Sequence, residues 1–508
     1  MKICFLLQRR FAYVGHKIAK ILQAKYAVHE FCGYVYTAAS FNFLKQQTDI
    51  AYTSLILDEA IHEQYRHEPL DLAYLAWLEK EYGIPNLWPY LTLDRVVMYN
   101  QLVREYPYNT PPYTHEEMMR ILQVKAKAII DFLETEKPDA LVITVVGGIG
   151  SMLLYQIAKK KGIPILFITL TRLGDGYTIT NDYKKFSYAE QIFDDLTARG
   201  ADSCQRNQAR AYLSATRGNH TNYLHYSLDD ANKNYRLRPL KWLAPPALWR
   251  SLSWFVKLNY QYLAGRQRSY CDHKPLGYLI DRLKRKTRTA IGFNRWHEPA
   301  DFTEKFAFFP LHYEPEIATL LFAPFWSDQL NLIRQVAKSL PLSYKLYIKE
   351  HPAMVGYRPH AYYRELKKIP NVKLISHIIN SFEVIKYAKL VTVISGTVGW
   401  EAVVMKKPVI TFGDVFYNKL STVIKCEMIE QLPFIVKRQL KQFNYNEAEL
   451  ENFIGAIMEE SVAAGMMEIW EKGLDSQAEE TRRLTLLADL LAKKVDLQPI
   501  PKSYADKE

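Results

Sequence analysis

Apolar runs along the chain are separated by amphipathic stretches at a regular pace. MKICFLL reads as a buried strand, HKIAKILQAKY as the helix that follows it, and AVHEFCGYVY as a second strand. Residues 50–135 read mostly as helix, for example DLAYLAWLEKEYG and EEMMRILQVKAKAIIDFLETEKP. DALVITVVGG is a near-continuous apolar run, the pattern of a parallel strand covered on both faces. GSMLLYQIAKKKGIP then supplies a helix with a glycine stop, and ILFITL another strand. Strands alternating with helices at this spacing predict a doubly wound α/β domain.

The rhythm breaks at about residue 200 and resumes at KFAFFPLHYEPE. From there the helix SDQLNLIRQVAKSL leads to the strand YKLYIKEHP, and HAYYRELKKIP leads to NVKLIS. SFEVIKYAKL, VTVIS, TVGWEAVVMKKP and VITFGD continue as helix, strand, helix, strand. This second Rossmann-like unit runs from about 303 to 415. Residues from about 446 to 495 read as amphipathic helix. The expected architecture is α/β, with two Rossmann-like domains facing across a cleft. The expected domains are 1–297, with a helical basic segment at about 200–297, then 298–446, then a helical tail at 447–508.

Length agrees with more than one core, since 508 residues exceed the size of an ordinary single domain. Charge changes the picture more. The net charge is +12, and residues 236–295 hold fourteen Lys and Arg against two Asp and Glu, interleaved with Trp, Tyr and Phe. Such a segment suits an anionic membrane surface, or it is a solvated helical insertion. No nucleic-acid-binding motif is visible in it. Aromatic residues make up 13% of the chain, including 35 tyrosines, which fits sugar-binding clefts or an aromatic-rich core. The five cysteines are widely spaced with no CxxC pair, as in a reduced, cytosolic protein without a structural zinc site. The opening MKICFLLQRRFAYVG has too short an apolar run for a signal-peptide core. No stretch approaches the roughly 20 apolar residues of a spanning helix. The expected location is cytoplasmic, with any membrane attachment peripheral and at the inner face.

Candidate chemistry follows from where strands end, because open parallel sheets bind ligands beyond their carboxyl ends. FPLHYEPE puts His312, Glu314 and Glu316 at one such end. YKLYIKEHP puts Lys349, Glu350 and His351 at another, before Pro352. Strand alternation turns Glu350 away from its two neighbours, a structural position. VISGTVGWEA gives a strand, a turn of Ser395, Gly396 and Thr397, and a helix start. Small residues and unpaired helix N–H groups suit a phosphate there, or the turn is only a helix cap. Glu401, one turn into the helix, is placed to accept ribose hydroxyls. The loop is not a Walker A motif, which would end in GK[ST]. In the first half, TLTRLGDGYTIT presents Asp175 between two glycines, a general base or an ordinary turn. VVGGIGS carries Gly147, Gly148 and Gly150 but lacks the acidic partner of a dinucleotide loop.

Taken in their order, FPLHYEPE, LYIKEHPAMVGYRP and SFEVIKYAKLVTVISGTVGWEAVVMKKPVITFGDVFY resemble bacterial capsular polysaccharide biosynthesis proteins, most densely over about 306–417. That family is similar to Kdo and sialic acid transferases of the GT-B fold. The resemblance implies an inverting, metal-independent glycosyltransferase using a nucleotide sugar, with a CMP-sugar favoured and no further cofactor. It implies that His351 and Pro352 contact the nucleotide phosphate, with Lys349 beside them, and that Ser395, Gly396 and Thr397 contact the nucleotide. It places possible donor-sugar contacts at His312, Glu314 and Glu316. The catalytic pair would be His351 and Asp175, although Gly174 stands where the family's base motif has a second acid. The acceptor would be a glycan or a lipid-linked glycan, with no nucleic acid. Nucleotide-sugar 2-epimerases, polyol-phosphate transferases and a non-catalytic export or binding protein are the alternatives.

Overall fold

The computed structural model describes residues 1–100, 111–219, 244–264, 270–271, 274–471 and 476–500. These form two compact units. One takes in Met1–Leu91, Tyr113–Arg210 and Glu451 onward; the other takes in Thr92–Pro112 and Ala211–Leu450.

The first unit is built on β1 (Lys2–Leu7), β2 (Glu30–Val35), β3 (Tyr52–Leu57), β4 (Ala140–Ile143), β5 (Ile165–Leu170) and β6 (Gly176–Thr180). They lie in the order β6-β5-β4-β1-β2-β3. All neighbouring pairs are parallel except β5 and β6. β3 lies inside the stretch expected to be mostly helical. Its residues TSLI are half-buried or exposed, so this edge strand lacks the full apolar run that marks β1 and β4.

The second unit is built on β7 (Phe306–Pro310), β8 (Lys345–Lys349), β9 (Val372–Ile375), β10 (Leu390–Val393), β11 (Val409–Thr411) and β12 (Val423–Lys425). Their order is β12-β11-β10-β7-β8-β9, and every pair is parallel. Counted from the first strand of each unit, both sheets share the 3-2-1-4-5-6 order of a doubly wound fold. Each therefore has a switch point where the chain reverses its direction of winding, between β1 and β4 and between β7 and β10.

Two segments sit elsewhere than chain order suggested. The tail is not a separate helical piece. Ser461–Ala463 forms a strand, β13, antiparallel to β6. The Gln477–Lys494 helix packs Leu484, Leu487 and Leu491 into one core with Ile18 and Leu22 of the Phe11–Tyr26 helix. Asp489 closes that contact, accepting from Lys25 Nζ at 2.7 Å and Tyr26 Oη at 2.8 Å. From residue 211 on, the basic segment belongs with the second unit, not the first. The described part of its most basic stretch, 236–295, holds two α-helices, Pro245–Leu263 and Pro275–Ile291, while 236–243, 265–269 and 272–273 lie outside the described residues. Arg285 Nη1 donates to Tyr357 Oη at 3.1 Å, and Arg288 donates to the Tyr357 carbonyl.

Candidate functional site

The expected strand-end residues of the second unit gather at its switch point. YKLYIKEHP and VISGTVGWEA do not lie on neighbouring strands. β7 runs between β8 and β10, which sets the two motifs roughly 9–10 Å apart by strand spacing. His312, just past β7, bridges the gap. Its Nε2 accepts from the Ser395 N–H at 3.3 Å, and its carbonyl accepts from Arg358 Nη2 at 2.7 Å. Since Nε2 accepts, the ring proton is assigned to Nδ1. Burial, reinforced by the Arg358 cation, lowers the His312 imidazole to about 4, so it stays neutral at physiological pH.

Beneath this edge lies a buried ionic knot. Arg358 is fully buried and pairs with Glu314 at 2.7 Å and with Glu350. Glu350 also accepts from Tyr363 Oη at 2.8 Å and from the His351 N–H at 2.7 Å. Gln329 donates to Glu314 and to the His312 carbonyl, and accepts from the His312 N–H at 2.7 Å. Glu350 thus has the structural role that alternation gives it. Glu314 and His312 are engaged inside the unit, while Glu316 is half-buried at the start of the short Ile317–Leu320 helix.

Lys349 ends β8 almost wholly buried, donating to Ser381 Oγ at 2.8 Å. Burial lowers its ammonium to about 8, against the pull of Glu401 and Glu350. Glu401 is buried on the Thr397–Val404 helix, and burial raises its carboxyl to about 8, with Lys349 opposing. At neutral pH the lysine is charged and the carboxyl protonated. Among the described residues Glu401 Oε2 has no hydrogen-bond partner, so the group has spare capacity for a ligand hydroxyl. The native protein holds this proton from about pH 4.5, the ordinary value, to about 8. Stability from this group is therefore present at low pH and lost as pH rises through that window. Relative to Glu401→Gln, the wild type should lose a few kcal/mol across it. Urea midpoints measured against pH would show this, and parallel profiles would refute it.

His351 caps the Pro352–Met354 turn, its Nδ1 accepting from the Ala353 N–H at 3.2 Å. That bond fixes the ring and assigns its proton to Nε2. Pro352 is buried as the first residue of the turn, where its missing N–H costs nothing. Ser395 Oγ donates to the Ala318 carbonyl, and the Gly396 carbonyl accepts from Tyr417 Oη at 2.6 Å. Thr397 opens the helix. A Cβ on Gly396 would stand 2.9 Å from His312 Nε2, so only glycine leaves the bridging imidazole in place.

In the first unit, Asp175 is exposed on the turn between β5 and β6, beyond the carboxyl end of β5. Its carbonyl accepts from the Gly465 N–H at 3.3 Å. The VVGGIGS loop crosses the β1–β4 switch point, where Gln8 Nε2 donates to the Val145 carbonyl at 3.1 Å. Ser151 Oγ accepts from the Gly147 and Gly148 N–H groups at 3.0 and 3.1 Å, so this loop caps its own helix. Among the described residues no group of three His, Cys, Asp or Glu side chains is arranged to hold a metal ion.

Residues 303–421 match the family model described as capsule polysaccharide biosynthesis protein. The matched segment is the one that carries the sequence resemblance, and it contains the whole strand-end site of the second unit. Protein FixF of Sinorhizobium fredii is 32% identical over 134 residues, 25% of this chain and 31% of that protein. The chain therefore spans about a third of the length of the curated relative it matches. Among solved structures, the KpsC beta Kdo 2,7 transferase of Thermosulfurimonas dismutans is similar at 14% identity with a TM-score of 0.35. That likeness covers 71% of this chain and 89% of the other. The UDP-GlcNAc 2-epimerase of Methanocaldococcus jannaschii is similar at 14% identity with a TM-score of 0.25, covering 90% of this chain and 99% of the other.

Sequence reasoning missed Arg358, Gln329, Tyr363, Ser381 and Tyr417, all inside the matched segment. Arg358 had a signal. Two acidic residues, Glu314 and Glu350, follow buried strands, and such carboxylates need a cation. LYIKEHPAMVGYRP offers one seven residues past His351.

Proposed function

We propose that the protein is an inverting glycosyltransferase of capsule or surface-polysaccharide assembly. It moves a sugar from a nucleotide donor, a CMP-sugar favoured, to a glycan or glycolipid acceptor. The observation that carries this reading is the site at the β7–β10 switch point. It joins a helix N-terminus, a half-buried histidine and a buried lysine inside the segment that matches a capsule polysaccharide biosynthesis model.

The acceptor oxygen attacks the anomeric carbon while the bond from that carbon to the phosphate oxygen breaks. The bonding electrons leave with the nucleotide phosphate. The N–H groups of Gly396 and Thr397 and the Lys349 ammonium meet the charge that appears there. His351, through Nε2–H, donates to the same phosphate. Glu401 binds the ribose. Asp175 of the first unit is the base for the acceptor hydroxyl in this reading, and no step calls for a metal.

Calorimetric titration with CMP, UDP, GDP and CDP is the direct test. One of them, CMP foremost, should bind, and Glu401→Leu, which removes both side-chain oxygens, should weaken that binding by roughly tenfold, the effect of about one hydrogen bond. Absence of binding by all four would overturn the reading. Turnover of a nucleotide sugar without acceptor, beyond slow hydrolysis, would indicate epimerisation instead.

A further inference from the structure

The helix Pro245–Leu263 turns a strip of apolar side chains outward. Leu248, Trp249, Leu252, Val256, Tyr260 and Leu263 are all exposed, Trp249 at 70% and Leu263 at 71%. Their steps of one, three, four, four and three residues put them on one face of a helix. The opposite face is used. Leu258 is buried, Arg282 Nη2 donates to Ser251 Oγ at 3.2 Å, and the Arg282 guanidinium stands 5.2 Å from the Trp254 ring centroid. The partner helix Pro275–Ile291 exposes Leu276, Ile280 and Leu283, again on one face. Its inner face is held by Arg285 and Arg288 on Tyr357. The outward strips are therefore not left over from packing between the helices or onto the unit.

We infer that this helix pair docks the protein on an anionic lipid bilayer, with the Leu248–Leu263 strip set into the headgroup boundary. Charge selects this occupant. Arg250 and Lys257 are exposed beside the strip, Lys284 is exposed on the partner helix, and the surrounding segment 236–295 has fourteen cations against two anions. A second copy of the chain would bring the same cations and repel. Nucleic acid would have no use for exposed aliphatic side chains, which offer its bases no stacking face. An anionic bilayer satisfies both features at once. No helix among the described residues is long and apolar enough to cross a membrane, so the pair lies on the surface. This deepens the membrane reading of the segment. The docking itself stands apart from the transfer chemistry, and only the acceptor's being lipid-linked rests on that chemistry.

The anchor has a consequence for the site. Tyr357, which both arginines hold, adjoins Arg358, the cation of the buried knot under the switch point. The docking surface is thus tied to the scaffold of the donor site within the same unit.

Flotation of the full chain with vesicles tests the inference without any sugar. Vesicles of phosphatidylcholine with phosphatidylglycerol should carry the protein, and pure phosphatidylcholine should carry much less. Leu252→Glu with Val256→Glu should weaken partition by at least about tenfold. Arg250→Glu with Lys257→Glu should weaken it by a similar factor and flatten its salt dependence. Both pairs of sites are exposed, so unfolding temperature and nucleotide affinity should hold, which separates this result from failure of the donor site. No vesicle binding by the wild type would overturn the inference, as would equal binding of neutral vesicles or undiminished binding by the apolar pair. Light scattering that showed a dimer dissociated by Leu252→Glu with Val256→Glu, without vesicle binding, would assign the strip to a second copy instead.

Discussion

Alanine at His351 is expected to lower sugar transfer by about 10²- to 10³-fold, the range for losing one hydrogen-bond donor to charge that develops in the transition state. The loss should lie in turnover more than in folding. His351 caps one short turn through Nδ1, and losing a cap of this kind costs about 1 kcal/mol. Asparagine separates the two roles. Its side-chain oxygen can accept from the Ala353 N–H as the imidazole does, but its shorter amide carries no N–H out to the position of Nε2. His351→Asn should recover most of the stability lost in His351→Ala and none of the activity. Rates and urea midpoints for both variants decide this. Full activity in either variant would show that the histidine has no part in the chemistry.

The second large effect is on stability. Arg358→Met removes the cation that Glu314 and Glu350 share and leaves two buried carboxylates facing an apolar side chain. Breaking a buried pair by removing one partner costs about 3–5 kcal/mol, whereas replacing all its members by neutral groups often costs little. Arg358→Met alone should therefore be strongly destabilised. The triple variant with Glu314→Gln and Glu350→Gln should regain much of the loss in denaturant titration. If the triple variant were no more stable than the single one, the knot would act by shape rather than charge. The single variant should also weaken nucleotide binding, because Arg358 holds the His312 carbonyl while His312 holds Ser395.

Strand ends were legible because each is local. A buried run followed by His-Pro or Ser-Gly-Thr marks its own carboxyl terminus, and the structure puts Lys349, His351 and Ser395 at such ends. Three things were not legible. β13 has three residues, too few for any periodicity to show. The Gln477–Lys494 helix is amphipathic in sequence, but its apolar face does not say that its partner is the Phe11–Tyr26 helix, some 460 positions earlier. The interposed β7 depends on strand order, and His312 acts as a bridge only because of it. Arg358 lies between these cases, since the demand for a cation was local and the choice of cation was not.

The first unit is closed by residues that come after the second unit in the chain. β13 covers the outer edge of β6, and the Gln477–Lys494 helix covers the apolar face of Phe11–Tyr26. During synthesis, residues 211–450 emerge with all six of their strands before either cover exists. The unit that starts first waits on the ribosome with an open strand edge and an uncovered apolar face, both of which invite pairing with other nascent chains. The order of synthesis thus favours early completion of the half that carries the His351 site, while the half that carries Asp175 is completed only afterwards.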